Sequence, residues 1–287
     1  MLARRRHAIC ATREVMQRHF PHLEIASLPP AGKRKTRAPL LFVHGGYCDP
    51  WCWQPHFMPW FAQRGHPVHA LSLRGHGGSD GHETLFGASV DDYVADVLRA
   101  VREIDGEPIL IGHSMGAAVI ERILQRHPLR GAALLAPLPP SGLATVASRL
   151  MLQRPDHLLQ MARFDQGNVA ADVLAALRPY YFTDDIDAGL LREAGRHLCA
   201  ESSRALFDLT LRTPSPRSAA DSPLFVLGAR GDRVCQSADV AATAAQHGVE
   251  ATMVDGLAHM LMLVPGWERA ATPLAAWIDA IRKPART

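Results

Sequence analysis

The stretch Ile109-Leu-Ile-Gly-His-Ser-Met-Gly-Ala-Ala118 decides the fold that we expect for this chain. Three apolar residues lead into Gly112-His-Ser-Met-Gly116, and a helical pattern follows at once. We predict a buried strand that ends abruptly and a helix that begins at the corner where Ser114 stands. Such a corner strains the backbone of the serine and directs its hydroxyl into a cleft. Gly112 and Gly116 allow the strand and the helix to close around the bend without side-chain clash.

Strands and helices alternate along most of the sequence on either side of this stretch. Short apolar runs that are typical of strands lie at His22–Leu28, Pro39–Val43, Val68–Leu73, Ile109–Ile111, Gly131–Ala136, Leu224–Leu227 and Ala251–Val254. The stretches between them mostly have helical periodicity, and helices are also predicted over Met260–Val264 and from about Trp267 to Ile281. This alternation predicts an α/β fold, with a mostly parallel central sheet and helices on both faces.

Residues 138–222 interrupt the alternation, because only short helices are predicted there. We therefore predict a core domain formed by residues 1–137 and 223–287, with residues 138–222 inserted as a helical cap or lid. Aromatic and methionine side chains are prominent in the cap: Met151, Met161, Phe164, Tyr180, Tyr181, Phe182 and Phe207. Such apolar residues pack a cap onto its core, and they also favour an uncharged or acyl-chain substrate over a highly charged one.

The charge balance of the chain argues against several classes of partner. Among its 287 residues, 31 basic and 28 acidic side chains leave a formal net charge of +3, which favours neither nucleic acid nor an anionic membrane as a partner. The basic runs Arg4–Arg6 and Lys33–Lys35 are interpreted as solvated surface.

No apolar run reaches the ~18 residues of a membrane-spanning helix, and no apolar segment follows the N-terminal charges as in a secretory signal.

The cysteines indicate a reducing compartment and no metal site. Their number, 5, is odd and their spacing does not resemble a disulfide framework, so we expect a cytoplasmic protein. Cys48 and Cys52 are four residues apart, but no second pair of ligands lies nearby, and we interpret them as packing residues. No cofactor is expected.

A serine nucleophile needs a base within hydrogen-bond reach and a third group that orients the base. Functional groups collect at the carboxyl ends of parallel strands, and the loops there supply Asp232 after Leu227 and His259 after Val254. The alternatives are that Ser114 stands in an ordinary tight turn, that His259 is a core or surface histidine, and that Asp232 only forms a turn. Asp255 is the nearest rival acid.

Ser114, Asp232 and His259, in this order along the chain, resemble the catalytic residues of an α/β-hydrolase with a helical cap after its sixth strand. The resemblance covers nearly the whole chain from about Leu40 onward. It implies an oxyanion hole made by the backbone amides of Met115 and Gly46, with the amide of Tyr47 as the second choice for the latter.

The same resemblance assigns other polar residues to supporting roles. His44 is expected to brace the loop that contains Gly46 rather than transfer protons. Arg74-Gly-His-Gly-Gly-Ser79 resembles the structural R-G-x-G-x-S turn of the family, although Ser72 stands where the family usually has an aspartate.

The leading hypothesis is a hydrolase that cleaves a small, apolar carboxylic ester through a Ser114-His259-Asp232 triad. The same fold also supports hydrolysis of amides, lactones, thioesters or C–C bonds, and lyase or perhydrolase chemistry. Dehalogenase chemistry is disfavoured because that branch has an aspartate as its nucleophile. A ligand sensor that retains the triad without turnover is an alternative of another class, and the sequence leaves a homodimer open.

Overall fold

A computed structural model describes residues 22–32, 37–165, 171–210 and 222–281. The basic runs Arg4–Arg6 and Lys33–Lys35 lie outside these ranges. The described residues contain seven strands: β1 (Ile25–Leu28), β2 (Leu40–Val43), β3 (Val68–Leu71), β4 (Ile109–His113), β5 (Ala132–Leu135), β6 (Leu224–Ala229) and β7 (Ala251–Val254). They form one sheet in the order β1-β3-β2-β4-β5-β6-β7. Only the β1–β3 pair is antiparallel, so the α/β fold with a mostly parallel sheet is confirmed.

The described ranges also contain ten α-helices. They are α1 (Phe57–Gln63), α2 (Val90–Glu103), α3 (Met115–Leu124), α4 (Leu143–Gln153), α5 (Pro155–Asp165), α6 (Ala171–Tyr181), α7 (Ala188–Arg196), α8 (Ser203–Thr210), α9 (Ser237–Gln246) and α10 (Glu268–Ala280). Strands β2, β4 and β5 are buried along their whole length, as expected for parallel strands that are covered on both faces. None of the helices in this part of the chain is both long and apolar enough to cross a bilayer.

Helices α4 to α8 lie between β5 and β6, and we call this segment the helical insert. Five strands of the described ranges precede it along the chain. The division into a core of residues 1–137 and 223–287 and a cap of residues 138–222 stays a prediction.

The helix predicted over Met260–Val264 is wrong, because this segment forms consecutive turns. The N–H of Met260 is bonded outside the segment, to the carbonyl of Tyr181 at 2.8 Å. Pro265 follows directly, and a proline disfavours helical backbone in the residue before it. The apolar character of the segment reflects complete burial instead, since Leu261 to Val264 are at most 1% exposed.

Candidate active site

Ser114 stands at the sharp turn between β4 and α3. Its backbone has φ 51° and ψ −113°, a strained conformation for a residue that is not glycine. A Cβ on Gly112 would lie 2.4 Å from the carbonyl oxygen of Gly116, and a Cβ on Gly116 would lie 2.5 Å from the carbonyl oxygens of Val43 and His44. Both positions flanking the serine therefore require glycine, as the sequence predicts.

A continuous line of hydrogen bonds links Ser114, His259 and Asp232. Nε2 of His259 lies 3.2 Å from Oγ of Ser114, and its Nδ1 lies 2.8 Å from Oδ2 of Asp232. Because a carboxylate only accepts, Nδ1 carries the proton and Nε2 is free to accept one from the serine hydroxyl. Oδ1 of Asp232 accepts the backbone N–H groups of Val234 at 2.7 Å and Cys235 at 2.9 Å, so the carboxylate is held at both oxygens.

Asp255, the rival acid, is not brought to this histidine. Its side chain is 81% exposed and lies 3.3 Å from Nε of Arg230. Asp232 has a completely buried side chain in its contact with His259. Of the two carboxylates weighed from the sequence, the structure joins only Asp232 to His259.

His113 supports His259 from the strand that leads to the serine, a contact that the sequence did not reveal. Its Nε2 donates to the backbone carbonyl of His259 at 2.9 Å, and the two rings lie 4.7 Å apart. Burial, together with the neighbouring His259, holds the pKa of His113 well below its usual value. His113 is therefore a neutral side chain that connects the turn at Ser114 to the loop that carries His259. The sequence contained no signal for this role, because the G-x-S-x-G motif leaves the residue before the serine unspecified.

The loop after β2 packs directly against the turn at Ser114. A Cβ on Gly45 would lie 2.8 Å from Nδ1 of His113 and 3.2 Å from Cβ of Ser114. His44 donates from Nδ1 to the carbonyl of Gly45 at 2.8 Å and accepts the N–H of Leu73 at 3.2 Å through Nε2. Burial lowers the pKa of His44 to about 3, so the ring is neutral and fits the bracing role expected of it.

Gly46, one of the two predicted oxyanion donors, lies beside the side chain of Met115, the other. A Cβ on Gly46 would lie 3.9 Å from Sδ of Met115 and 3.4 Å from Oε2 of Glu201. Tyr47, the second choice, has a positive φ of 61°, and its N–H is directed to Oε2 of Glu201 at 3.4 Å. Its carbonyl accepts the N–H of Cys199 at 3.1 Å, so the backbone of Tyr47 is engaged on both sides by the helical insert.

Glu201, just before α8, forms a buried ion pair that the sequence did not reveal. Its Oε2 lies 3.2 Å from Nε2 of His76, and both side chains are completely buried. Nδ1 of His76 lies 3.0 Å from the carbonyl oxygen of Arg74, so both ring nitrogens donate and the ring is a cation. Oε1 of Glu201 accepts the phenol of Tyr93 and the N–H of Ser202, each at 2.7 Å.

The electrostatics of this pair agree with its hydrogen bonds. Burial alone would lower the pKa of His76, but the hydrogen bond and the charge of Glu201 outweigh burial and raise it. Burial alone would raise the pKa of Glu201, but His76 and the hydrogen bonds from Tyr93 and Ser202 together outweigh burial and lower it. His76, in the predicted R-G-x-G-x-S turn, thus forms an ion pair with Glu201 of the helical insert and stabilises its negative charge.

A cavity of about 810 Å³ opens above Ser114 and His259. Its wall on the side of the helical insert consists mainly of apolar and aromatic side chains: Leu143, Val146, Leu150, His157, Leu158, Met161, Phe164, Leu174, Leu177, Tyr181 and Phe182. Four of the aromatic and methionine residues singled out in the sequence therefore line it. Of the others, Tyr180 is buried outside the lining, while Met151 and Phe207 are 63% and 69% exposed. Trp51 lines the cavity, and Trp53 is completely buried.

One group of potential metal ligands occurs in the described ranges, and it includes Asp232 and His259, which are already hydrogen-bonded to each other. Ligand atoms of Asp232, Cys235 and His259 lie within 4.8 Å of one another. The carboxylate and the imidazole are already bonded to each other, and burial raises the pKa of the Cys235 thiol. The donor set therefore fits a hydrogen-bonded pair better than a metal site, which needs a deprotonated thiol.

Comparisons with known proteins agree with this architecture. A sequence model described as the alpha/beta hydrolase family matches residues 40–276. A pyrethroid hydrolase of Sphingobium wenxiniae is 32% identical over 100 residues, a match that spans 35% of this chain and 35% of that protein.

Solved structures resemble the whole described fold. An esterase from Thermogutta terrifontis superposes with a TM-score of 0.64 at 18% identity, covering 92% of this chain and 95% of that chain. An esterase from Exiguobacterium antarcticum gives a TM-score of 0.67 at 12% identity, covering 91% and 96%. At these identities the likeness is one of fold.

Proposed function

The chain belongs to the α/β-hydrolase family, and we propose that it is a serine hydrolase that cleaves a small, apolar carboxylic ester through an acyl-enzyme. The observation that carries the proposal is the line of hydrogen bonds from Ser114 through His259 to Asp232 beneath an apolar cavity. A weakly nucleophilic hydroxyl, a base and an orienting carboxylate in this arrangement are the requirements of nucleophilic acyl transfer.

The proposed reaction has two steps. Oγ of Ser114 attacks the ester carbonyl while Nε2 of His259 takes its proton, and the resulting imidazolium returns that proton to the leaving alcohol. Water then attacks the acyl-enzyme with His259 again as the base, which releases the carboxylic acid and restores the serine. Asp232 keeps the proton of the resting imidazole on Nδ1 throughout.

We assign the oxyanion hole to the backbone amides of Met115 and Gly46. The direction of the Tyr47 N–H towards Glu201 supports Gly46 over Tyr47, because an amide engaged by a carboxylate is a poor donor to a second anion. Loss of one such donor typically lowers the rate by roughly 10²–10³.

Residues 138–222 are proposed to act as the cap over this site. In support, helices α4, α5 and α6 contribute most of the apolar wall of the cavity above Ser114. Binding sites of this kind hold ligands mainly through apolar surface and a few polar groups. The partly matching pyrethroid hydrolase and the esterases of similar fold are consistent with an ester substrate. A cytoplasmic location and a homodimer stay predictions.

A screen with an active-serine fluorophosphonate probe and a panel of esters, thioesters, lactones and amides tests the proposal. The wild-type protein should be labelled and should cleave esters best, whereas Ser114→Ala should do neither while keeping its melting temperature within a few degrees. Labelling of the Ser114→Ala variant would refute the assignment of Ser114 as the nucleophile. Labelling without turnover of any substrate in the panel would favour the ligand sensor.

A further inference from the structure

His157 of α5 is a buried polar side chain in the wall of the apolar cavity. It is only 3% exposed, and neither of its ring nitrogens has a hydrogen-bond partner. An imidazole always presents at least one N–H donor. A buried donor without a partner costs about 1–3 kcal/mol. The position therefore offers hydrogen-bonding capacity that the protein itself does not use.

The aromatic neighbours of His157 connect it to the proposed catalytic base. Its ring lies 4.1 Å from that of Tyr180 and 6.0 Å from that of Tyr181, and the ring of Tyr181 lies 5.8 Å from that of His259. His157 and His259 both line the cavity, one aromatic ring apart. A molecule seated over Ser114 and extending along α5 and α6 would reach His157.

The charge state of His157 limits which chemical groups of a ligand it can bind. Burial lowers its pKa to about 4, so the ring is neutral near pH 7. The adjacent charges, Arg154 and Asp156, are about half exposed and bonded to each other at 2.9 Å. Arg178 and Arg192 also line the cavity, but a carboxylate or ammonium group placed at His157 itself would lose its hydration against a neutral ring without gaining a charged partner there.

We propose that His157 is a specificity-determining residue that donates a hydrogen bond to an uncharged oxygen, such as an ether or ketone oxygen, on an otherwise apolar arm of the substrate. This inference rests on the proposed function, because it assigns the substrate class of the same cavity. The preferred substrate is then an apolar ester that carries one further neutral oxygen at a fixed distance from the scissile carbonyl.

An ester series in which one ether oxygen is moved along the chain tests the proposal. Two sets of esters replace a single methylene by oxygen at successive positions, one along the acyl chain and one along the alcohol. For the wild-type protein, kcat/KM at one position should exceed that of the all-carbon ester by about fivefold to tenfold, mainly through a lower KM. His157→Phe should abolish or invert that ratio. His127→Phe, which changes an exposed histidine, should keep it.

The outcomes separate this inference from the proposed function. Each variant is first shown to be folded by its melting temperature and to be labelled at Ser114 by the fluorophosphonate. An oxygen preference that is absent, or that survives in His157→Phe, would overturn the inference, as would a preference for an ester with a terminal carboxylate. If the wild-type protein is not labelled, the proposed hydrolase fails instead. In that case the role of His157 is tested by calorimetry with ketone analogues of the esters, in which the scissile oxygen is replaced by carbon. Binding of the analogue with the extra ether oxygen and of the analogue without it is measured for wild type and His157→Phe. Equal affinities of the two analogues for the wild-type protein would refute the hydrogen bond from His157.

Discussion

The phenol of Tyr93 on α2 donates a hydrogen bond of 2.7 Å to Oε1 of Glu201 in the helical insert. The other carboxylate oxygen of Glu201 faces Nε2 of His76 and the backbone N–H of Tyr47. Glu201 is thus the point where the insert, the turn around His76 and the loop with the proposed oxyanion donor Gly46 meet. A positive φ at Tyr47 shows that the loop is held in a strained conformation, which needs support from its surroundings.

Glu201→Gln should therefore weaken both stability and turnover. The amide can still accept from Tyr93, but it leaves the buried cation of His76 without an anion, and breaking a buried pair in this way typically costs about 3–5 kcal/mol. Chemical denaturation should show a loss of this order, and kcat for a short ester should fall more than KM rises. Glu193→Gln, at a partly exposed position in α7, is the control and should change neither quantity appreciably. Wild-type kcat in a folded Glu201→Gln protein would contradict a positioning role.

The pair of His76 and Glu201 also predicts a pH window of stability. The pKa of His76 is raised above 6.5, so its contribution is complete below pH 6.5 and is lost as the pH rises through the raised value. The pKa of Glu201 is lowered below 4.5, so its contribution is complete above pH 4.5 and is lost as the pH falls through the lowered value. The difference in free energy of unfolding between wild type and Glu201→Gln should be largest between these limits and should shrink at alkaline pH. A difference that grows with rising pH would contradict the charged state of the pair.

Backbone strain at Ser114 predicts that glycine is tolerated better than alanine at this position. Ser114→Gly and Ser114→Ala both lose the hydroxyl and its contact with His259, but only glycine accepts a positive φ without strain. Ser114→Gly should be more stable than Ser114→Ala by about 1 kcal/mol in chemical denaturation. Equal stability of the two variants would mean that the turn stores no strain.

The sequence predicted the parts of this protein that are local and periodic. The strand, turn and helix around Ser114 were predictable because two glycines and an apolar run occur within eight residues. Asp232 and His259 were predictable as candidates because strand ends in a parallel sheet meet at one edge. The helix predicted over Met260–Val264 failed, because an apolar run of five residues indicates burial but does not by itself specify helical backbone.

Residues that act through distant contacts could not be predicted. Glu201 and His76 are 125 positions apart, and neither the helical pattern around one nor the turn motif around the other indicates that they meet. His157 is one of 15 histidines, and it stands out among those that the structure describes because both of its ring nitrogens are buried without a partner. Burial and pairing of this kind depend on contacts between segments that are far apart in the sequence.

Asp232→Asn should lower kcat far more than Asp255→Asn, although each change removes one negative charge from a loop at the same edge of the sheet. The asparagine side chain in Asp232→Asn would keep an oxygen for the N–H groups of Val234 and Cys235, and its NH₂ group would then face Nδ1 of His259. That arrangement moves the imidazole proton to Nε2, which can no longer accept the proton of Ser114, and an equivalent change in a serine protease costs on the order of 10⁴ in kcat. Asp255→Asn removes only an exposed pair with Arg230 and should leave ester turnover within about twofold. Both values of kcat are measured from the hydrolysis of a short p-nitrophenyl ester, after the melting temperatures have shown that both variants are folded. A larger loss of kcat in Asp255→Asn would identify Asp255 as the acid of the triad.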